Sequence, residues 1–245
     1  MTQDRLAPTR HTVPTPEGAM PAHLWLPHTP GEPDRPGLVV FQEIFGVSAY
    51  VRDRCADLAA MGYAVLAPEV YWRLEDVVID ETAEDFLQQA VAVAGRADWD
   101  AAVKDGVTAV GHLGNLPTVS TVAVLGFCFG GGLAFNVAAA ADPAPAVMVS
   151  YYGSALPGLT HLAPQVTCPS LHHFGTADDY VPMEQVEAIR AAVTEGGTRE
   201  DVEFHLHDGA GHAFDNPHPM FHHAAGSATA WEQTTDFLRR HLPVG

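Results

Sequence analysis

Runs of β-branched and other apolar residues recur along this 245-residue chain, and most precede a stretch whose apolar residues are spaced as in a helix. The runs are LVVFQ (38–42), YAVLAP (63–68), TVAVLG (121–126), AVMVSYY (146–152) and SLHHFG (170–175). Strands that are continuously apolar are typical of a parallel sheet covered on both faces. Strands alternating with helices imply right-handed crossovers. We therefore predict an α/β fold with an open, mostly parallel sheet flanked by helices, in one domain over residues 1–245.

The segments outside these runs predict further elements. Outer strands are expected at AHLWLP (22–27) and at the alternating DVEFHLH (201–207). Thr82 and Asp85 resemble a capping box at the start of a helix. That helix would place four apolar residues on one face: Phe86, Leu87, Ala90 and Val91.

Acidic residues dominate the charge of the chain. Against 12 Lys and Arg there are 30 Asp and Glu, which gives a formal net charge of −18. Such a chain has little means of neutralising phosphates, so binding to nucleic acid or to an anionic membrane surface is disfavoured. A small molecule is the expected partner. The three cysteines form no CxxC pair and the N-terminus has no apolar signal segment, which favours a cytoplasmic protein.

The segment VAVLGFCFGGG places a cysteine in the turn between a predicted strand and a predicted helix. Gly126-Phe127-Cys128-Phe129-Gly130 has the form of a nucleophile elbow, with cysteine where serine is usual. Side chains at the two glycine positions would collide with neighbouring backbone, and the helix amino terminus favours a thiolate. A buried structural cysteine is the alternative. The glycines do not follow the order of a dinucleotide-binding site.

A cysteine nucleophile needs a base, and the base needs an orienting carboxylate. HFGTADDYVP (173–182) carries Asp178 and Asp179 just after a predicted strand, and HDGAGHAF (207–214) carries His212 after the next one. Alone, such residues are explained as a turn aspartate and a solvated loop histidine. Together with the elbow, and in this order, they predict a Cys–His–Asp site.

Histidines also cluster near the C-terminus, at His218, His222 and His223. Their spacing fits no standard set of zinc ligands, so we expect no metal at this segment. No motif in the chain indicates a cofactor.

Four segments resemble the signature blocks of the dienelactone hydrolase family: FQEIFGV (41–47), GFCFGG (126–131), FGTADDYVP (174–182) and AGHAF (210–214). The resemblance spans most of the chain. It implies an α/β-hydrolase fold without a large cap domain, and hydrolysis of a small lactone or ester, as in a carboxymethylenebutenolidase. It also implies a monomer without a cofactor.

The resemblance implies a role for each matching residue. Cys128 takes the place of the nucleophile and His212 that of the base. Asp178, rather than Asp179, takes the place of the acid, because it stands three residues after Gly175.

Glu43 matches a family glutamate that contacts the resting thiol. A carboxylate beside the thiol, together with desolvation, raises a thiol pKa and would keep the cysteine protonated until substrate arrives. A helix-start or salt-bridged glutamate is the alternative. The backbone N–H groups of Ile44 and Phe129 would form the oxyanion hole.

The substrate side departs from the family pattern. Relatives hold a substrate carboxylate with two arginines, but here residues 74–89 contain none, and Asn216 occupies the matching position after His212. Arg73 is the nearby candidate to hold an anion. Because the two arginines are missing from an acidic chain, a neutral lactone or ester competes with a carboxylated one as the expected substrate. Five aromatic residues are candidates to line an apolar pocket: Phe45, Tyr71, Trp72, Phe86 and Phe214.

Two other functions remain open at this point. One is a broad hydrolase of small esters or thioesters without a role in lactone chemistry. The other is a catalytically silent binding protein of the α/β-hydrolase fold, although the combination of cysteine, histidine, aspartate and glutamate argues against it.

Overall fold

A computed structural model describes residues 6–27 and 34–244. Its strands are β1 (Thr9–Thr15), β2 (Gly18–Trp25), β3 (Arg35–Phe41), β4 (Ala64–Pro68), β5 (Val119–Phe127), β6 (Met148–Tyr151), β7 (Ser170–Gly175) and β8 (Val202–His207). Its α-helices are α1 (Ala49–Ala60), α2 (Phe86–Ala94), α3 (Trp99–Gly114), α4 (Phe129–Ala140), α5 (Leu156–Leu159), α6 (Met183–Val193) and α7 (Ala224–His241).

The strands in these two ranges form one sheet in the order β1-β2-β4-β3-β5-β6-β7-β8. The strands from β3 to β8 run parallel to their neighbours. At one edge, β1 and β2 pair antiparallel with each other, and β2 pairs antiparallel with β4. The predicted α/β fold with a mostly parallel sheet is therefore confirmed.

The antiparallel edge is the part of the sheet that the sequence pattern did not predict. β1 has only one buried residue, Val13, so its sequence carries no apolar run that would mark a strand. The neighbouring β2 begins at Gly18, four residues before the predicted start. An exposed edge strand is stabilised by its backbone ladder rather than by burial, and hydrophobic patterning does not detect it.

The sheet is buried on both faces, as the continuous apolar strands require. Along β3, the side chains of Val39 and Phe41 enter one core cluster, which also contains residues of α3, α4 and α6. Leu38 and Val40 enter the other cluster, beneath α1 and α7. Successive side chains of a strand point to opposite faces, so one apolar run supplies both cores.

Helix α2 differs from its prediction. The Thr82 side chain bonds to Asp80, and Asp85 at the helix start makes no capping bond, so the predicted capping box is wrong. The carboxylate of Asp85 instead accepts a hydrogen bond from Gln89, one turn further on. Phe86 and Ala90 are buried as predicted, but the other two predicted face residues are exposed: Leu87 and Val91.

No helix within the two described ranges is long and apolar enough to cross a membrane. The expectation that the chain carries no signal segment rests partly on residues 1–5, which lie outside the described residues.

The parallel strands bring their carboxyl ends to one edge of the sheet. Glu43 follows β3, Cys128 follows β5, Asp178 follows β7 and His212 follows β8. Ligands and reacting groups of open α/β sheets gather at this edge. The strand order therefore brings residues far apart in the chain to one place.

Candidate active site

Cys128 lies in a strained turn between β5 and α4. Its φ of +53° falls in the left-handed region, which non-glycine residues rarely occupy and which costs about 1–3 kcal/mol. A Cβ atom at Gly126 would lie 1.9 Å from the carbonyl oxygen of Gly130. A Cβ atom at Gly130 would lie 2.3 Å from the carbonyl oxygen of Phe41. Only glycine therefore fits at either position of this elbow.

The side chains of Cys128, His212 and Asp178 form one connected line. The His212 Nε2 atom is 3.1 Å from the Cys128 Sγ atom, and His212 Nδ1 is 2.8 Å from Asp178 Oδ2. The other oxygen of Asp178 accepts hydrogen bonds from the backbone N–H groups of Tyr180 and Val181. These bonds hold the carboxylate in place, so it orients the imidazole. The adjacent aspartate, Asp179, is exposed at the cavity beside this line.

The surroundings of His212 favour its charged form. Burial disfavours a charged imidazole, but the Cys128 sulfur and the Asp178 carboxylate outweigh this effect and raise the pKa of His212. Cys128 is also the N-cap of α4, so its sulfur lies at the positive end of a helix. Both features place positive charge beside the Cys128 sulfur.

Glu43 is fully buried, and its hydrogen bonds within the described residues go to groups other than the cysteine. Its Oε2 accepts a hydrogen bond of 2.7 Å from Asn216 Nδ2, and its Oε1 lies 3.3 Å from the Tyr152 hydroxyl. The resemblance implied a contact between Glu43 and the resting thiol; among the described residues the hydrogen bonds of Glu43 go to Asn216 and Tyr152. Burial raises the pKa of Glu43 to about 7, against the opposing effects of Asn216 and His212.

A chain of hydroxyl groups leads from Glu43 to a buried ion pair. The Tyr50 hydroxyl donates to Asp215 Oδ2 at 2.5 Å and lies 3.2 Å from the Tyr152 hydroxyl. Asp215 also accepts two hydrogen bonds from Arg54. The single hydroxyl proton of Tyr50 therefore lies in the hydrogen bond to Asp215. The Tyr152 hydroxyl donates its own proton to Glu43 Oε1, which completes the chain of hydroxyl groups between Asp215 and Glu43.

Two backbone N–H groups next to Cys128 are free to bind an oxyanion. Phe129 is the first residue of α4, where the amide has no acceptor within the helix. The Ile44 amide donates no hydrogen bond to any described residue. The carbonyl of Glu43 accepts from the Gly46 amide, so the Ile44 N–H of the same trans peptide points the opposite way.

A cavity of about 730 Å³ opens beside the sulfur and the imidazole. Cys128, Ser154 and His212 lie among its lining residues. Its apolar lining includes Ile44, Leu87, Val91, Ala94, Met220 and Phe221. Its polar lining includes Asp179, Tyr180, His222 and His223. The volume lies within the usual range for small-molecule sites.

None of the six residues predicted to bind substrate lines this cavity: Phe45, Tyr71, Trp72, Arg73, Phe86 and Phe214. The Arg73 guanidinium bonds both oxygens of the buried Asp105 and also Glu17. The Trp72 indole donates to the same Asp105. Arg73 is therefore committed to ion pairs outside the cavity, and the structure does not bring it together with the other predicted site residues.

The four other aromatic residues contact residues that line the cavity or carry the site. Phe45 and Phe86 stack on each other at 5.6 Å between ring centroids, and both contact Phe221, which does line the cavity. Phe214 is fully buried against Tyr152. The Tyr71 hydroxyl donates to the Ile44 carbonyl, which steadies the segment that carries the Ile44 amide.

Sequence reasoning missed two tyrosines at the imidazole. The Tyr152 ring packs edge-on against His212, with 5.4 Å between the ring centroids. The Tyr180 ring is tilted against the same imidazole, with 5.1 Å between the centroids. Tyr152 directly follows β6, which pairs with β5 so that Tyr151 lies beside Phe127. A tyrosine at the carboxyl end of the strand next to the elbow was the available signal.

The histidines near the C-terminus have separate positions in the structure. His218 packs on Phe86, whereas His222 and His223 line the cavity. Within residues 6–27 and 34–244, no group of three or more His, Cys, Asp or Glu residues is arranged to hold a metal ion.

Comparison with known proteins identifies a family and several relatives that this chain resembles. Residues 20–242 match the family model of the dienelactone hydrolase family. Carboxymethylenebutenolidase of Pseudomonas putida is 33% identical over 86% of this chain and 88% of its own. Carboxymethylenebutenolidase of Pseudomonas sp. (strain P51) is 32% identical over 93% of both chains.

Solved structures with a similar fold include a dienelactone hydrolase-like promiscuous phosphotriesterase from metagenomic libraries. Its TM-score is 0.77 at 23% identity, over 98% of this chain and 100% of its own. A dienelactone hydrolase from Anabaena variabilis has a TM-score of 0.68 at 20% identity, over 96% and 99% of the two chains. At these identities the likeness concerns the fold alone.

Proposed function

The chain belongs to the dienelactone hydrolase family and is a carboxylic-ester hydrolase, and we propose that it cleaves a small lactone or ester with Cys128 as nucleophile. The observation that carries this proposal is the line from sulfur to imidazole to carboxylate, with steps of 3.1 and 2.8 Å, at the edge of a cavity. The names of the curated relatives support a lactone or ester as the substrate class.

In the first half of the reaction the Cys128 thiolate attacks the carbonyl carbon, and a carbon–sulfur bond forms. The carbonyl oxygen becomes an oxyanion, which accepts hydrogen bonds from the Ile44 and Phe129 amides. The carbon–oxygen bond of the ester then breaks. The departing alkoxide takes the proton from His212 Nε2, which leaves a thioester on Cys128.

In the second half, water replaces the alcohol beside His212. The imidazole takes a proton from the water as its oxygen bonds to the thioester carbon. The second tetrahedral intermediate collapses by breaking the carbon–sulfur bond. The carboxylic acid leaves, and the thiolate and imidazolium pair is restored. Asp178 holds the imidazole in one orientation throughout.

Glu43 acts here through its position beside the Ile44 amide. Its carboxyl lies in the residue directly before that amide, and a negative charge there would oppose an oxyanion. Burial raises the pKa of Glu43 to about 7, which favours the neutral carboxyl below that pH. Glu43 is therefore a positioning residue for the Ile44 segment in this proposal.

The test is turnover of p-nitrophenyl acetate by the native protein and by Cys128→Ala. We expect the variant to lose on the order of 10⁴-fold or more in kcat/KM, because the covalent route is removed. Mass spectrometry of the native protein during turnover should show one added acetyl group, and none on the variant. Cys168→Ala is the matched control, since this other buried cysteine lies two residues before β7 and does not line the cavity, and it should keep its activity. Equal turnover by the native protein and Cys128→Ala would refute the assignment.

A further inference from the structure

We propose that the cavity beside Cys128 selects an uncharged ester or lactone whose acyl part is a hydrocarbon chain. This inference rests on the proposed function, because it concerns which substrate reaches the same sulfur. Relatives of this family hold a substrate carboxylate, so the inference sets this chain apart in specificity.

Four of the nine large hydrophobic residues that are exposed within the described ranges line this cavity. Of the large hydrophobic residues that are exposed, Leu87, Val91, Tyr180 and Met220 all lie in its lining. Val91 is 48% exposed and Met220 is 59% exposed. Exposed apolar groups that cluster at one opening mark a binding surface for an apolar ligand.

Helix α2 supplies one wall as a continuous stripe. Leu87, Val91 and Ala94 follow one another at spacings of four and three residues, so they lie along one side of the helix. The stripe is about 10 Å long at 1.5 Å per residue, which is enough to lie along a hexanoyl chain. The acyl group stays bonded to the sulfur through the second half of the reaction. We assign this wall to the acyl group, because the acyl group is the part of the substrate that remains in the cavity after the alcohol leaves.

The cavity offers a carboxylate no permanently charged cation, since its basic residues besides His212 are the histidines His222 and His223. Among the described residues that line it there is no Lys or Arg, and the carboxylate present, Asp179, would repel an anion. The charge of His212 is already paired with Asp178 and with the Cys128 sulfur. A substrate carboxylate entering this space would lose its water without gaining a permanently charged partner such as an arginine, which is costly.

The neighbouring arginines are held elsewhere. Arg73 is bonded to Asp105, and Arg54 is bonded to Asp215. Arg96, next to the lining residue Gly95, donates to the carbonyl of Glu75. Moving any of them to the cavity would break bonds that the structure already makes.

The first experiment compares two substrates of equal chain length, p-nitrophenyl hexanoate and the p-nitrophenyl monoester of adipic acid. They differ in a terminal methyl group or carboxylate. At about pH 8, where an ordinary histidine is uncharged, we expect kcat/KM for the hexanoate to be larger by about tenfold or more. The same order is expected for a butenolide with a plain methylene group over its carboxymethylene counterpart. A higher kcat/KM for either carboxylated compound would overturn the inference.

The second experiment adds the missing cation. Val91→Arg places a guanidinium at the mouth of the cavity, on an exposed site where the helix tolerates it. We expect it to shift the kcat/KM ratio toward the adipate ester by about threefold or more. Val78→Arg is the matched control, because Val78 is exposed but does not line the cavity, and its ratio should match the native one. An equal shift in both variants would mean that overall charge, and not the cavity, sets the preference.

The two proposals fail in different ways. If Cys128→Ala turns over p-nitrophenyl acetate as fast as the native protein, the proposed function fails. If Cys128 is required but the carboxylated substrates are preferred, the proposed function stands and the inference about the substrate falls.

Discussion

At the scale of single residues, the side chains of the site divide into those that motifs identify and those that only contacts identify. Cys128, Asp178 and His212 each stand in a short motif after a predicted strand, and the structure brings their side chains together. No short motif in the sequence indicates which residues surround Glu43. Its partners, Tyr152 and Asn216, lie more than a hundred residues away in the chain.

The buried carboxyl of Glu43 predicts how stability depends on pH. Its pKa is about 7 in the folded protein against an ordinary value of 4.5, so between these values only the folded state holds the proton. The free energy of unfolding therefore falls as the pH rises through this window. Glu43→Gln removes the effect, and we expect it to be more stable than the native protein at pH 8 by about 3 kcal/mol or less. At about pH 4.5 the two proteins should differ little.

Urea unfolding at both pH values measures this difference. Glu200→Gln is the control, since Glu200 is exposed and its replacement should leave the pH dependence unchanged. A stability difference between Glu43→Gln and the native protein that is the same at both pH values would show that Glu43 holds no proton.

At the scale of elements, local patterns predict strands and helices that are buried and miss those that are not. The apolar runs of β3 to β7 are visible in the sequence because both faces of the sheet are covered. β1 is missed because it buries only Val13. In α2, the sequence shows apolar residues at helical spacing, but it cannot show that Leu87 and Val91 face a cavity instead of the core.

The elbow between β5 and α4 offers a prediction at this scale. Gly126→Ala would put a methyl group 1.9 Å from the Gly130 carbonyl oxygen, so the turn must distort. We expect a loss of about 2–4 kcal/mol in the free energy of unfolding and a large loss of kcat. Urea unfolding and p-nitrophenyl acetate turnover measure the two effects.

Gly111→Ala in α3 is the matched control. Gly111 is exposed within the helix, and a Cβ atom there would meet nothing within 4 Å. Alanine favours a helix over glycine, so this variant should gain about 0.5–1 kcal/mol and keep full activity. Equal stability of the two variants would mean that the elbow accepts a side chain at Gly126.

At the scale of the whole molecule, the strand order prevents the chain from dividing into separate halves. β3 lies between β4 and β5, and the two antiparallel strands join the sheet through β4. Each core cluster collects residues from both early and late elements. We therefore propose that the chain folds as a single domain.

A single domain predicts one cooperative unfolding transition. The tryptophans report on different parts of the fold, since Trp25 lies in β2, Trp99 in α3 and Trp231 in α7. Unfolding in urea followed by tryptophan fluorescence and by far-ultraviolet circular dichroism should give coincident curves. Two separated transitions would contradict a single domain.

By itself, the sequence determined the α/β architecture, the elbow at Cys128 and the residue types of the site, because periodicity and short motifs act over a few residues. Only the tertiary structure decided that Arg73 binds Asp105, that Glu43 faces Tyr152 and Asn216, and that α2 forms a wall of the cavity. These outcomes depend on distances between loops that are far apart in the chain. Such distances follow from how the sheet and its helices pack, and no local pattern encodes them.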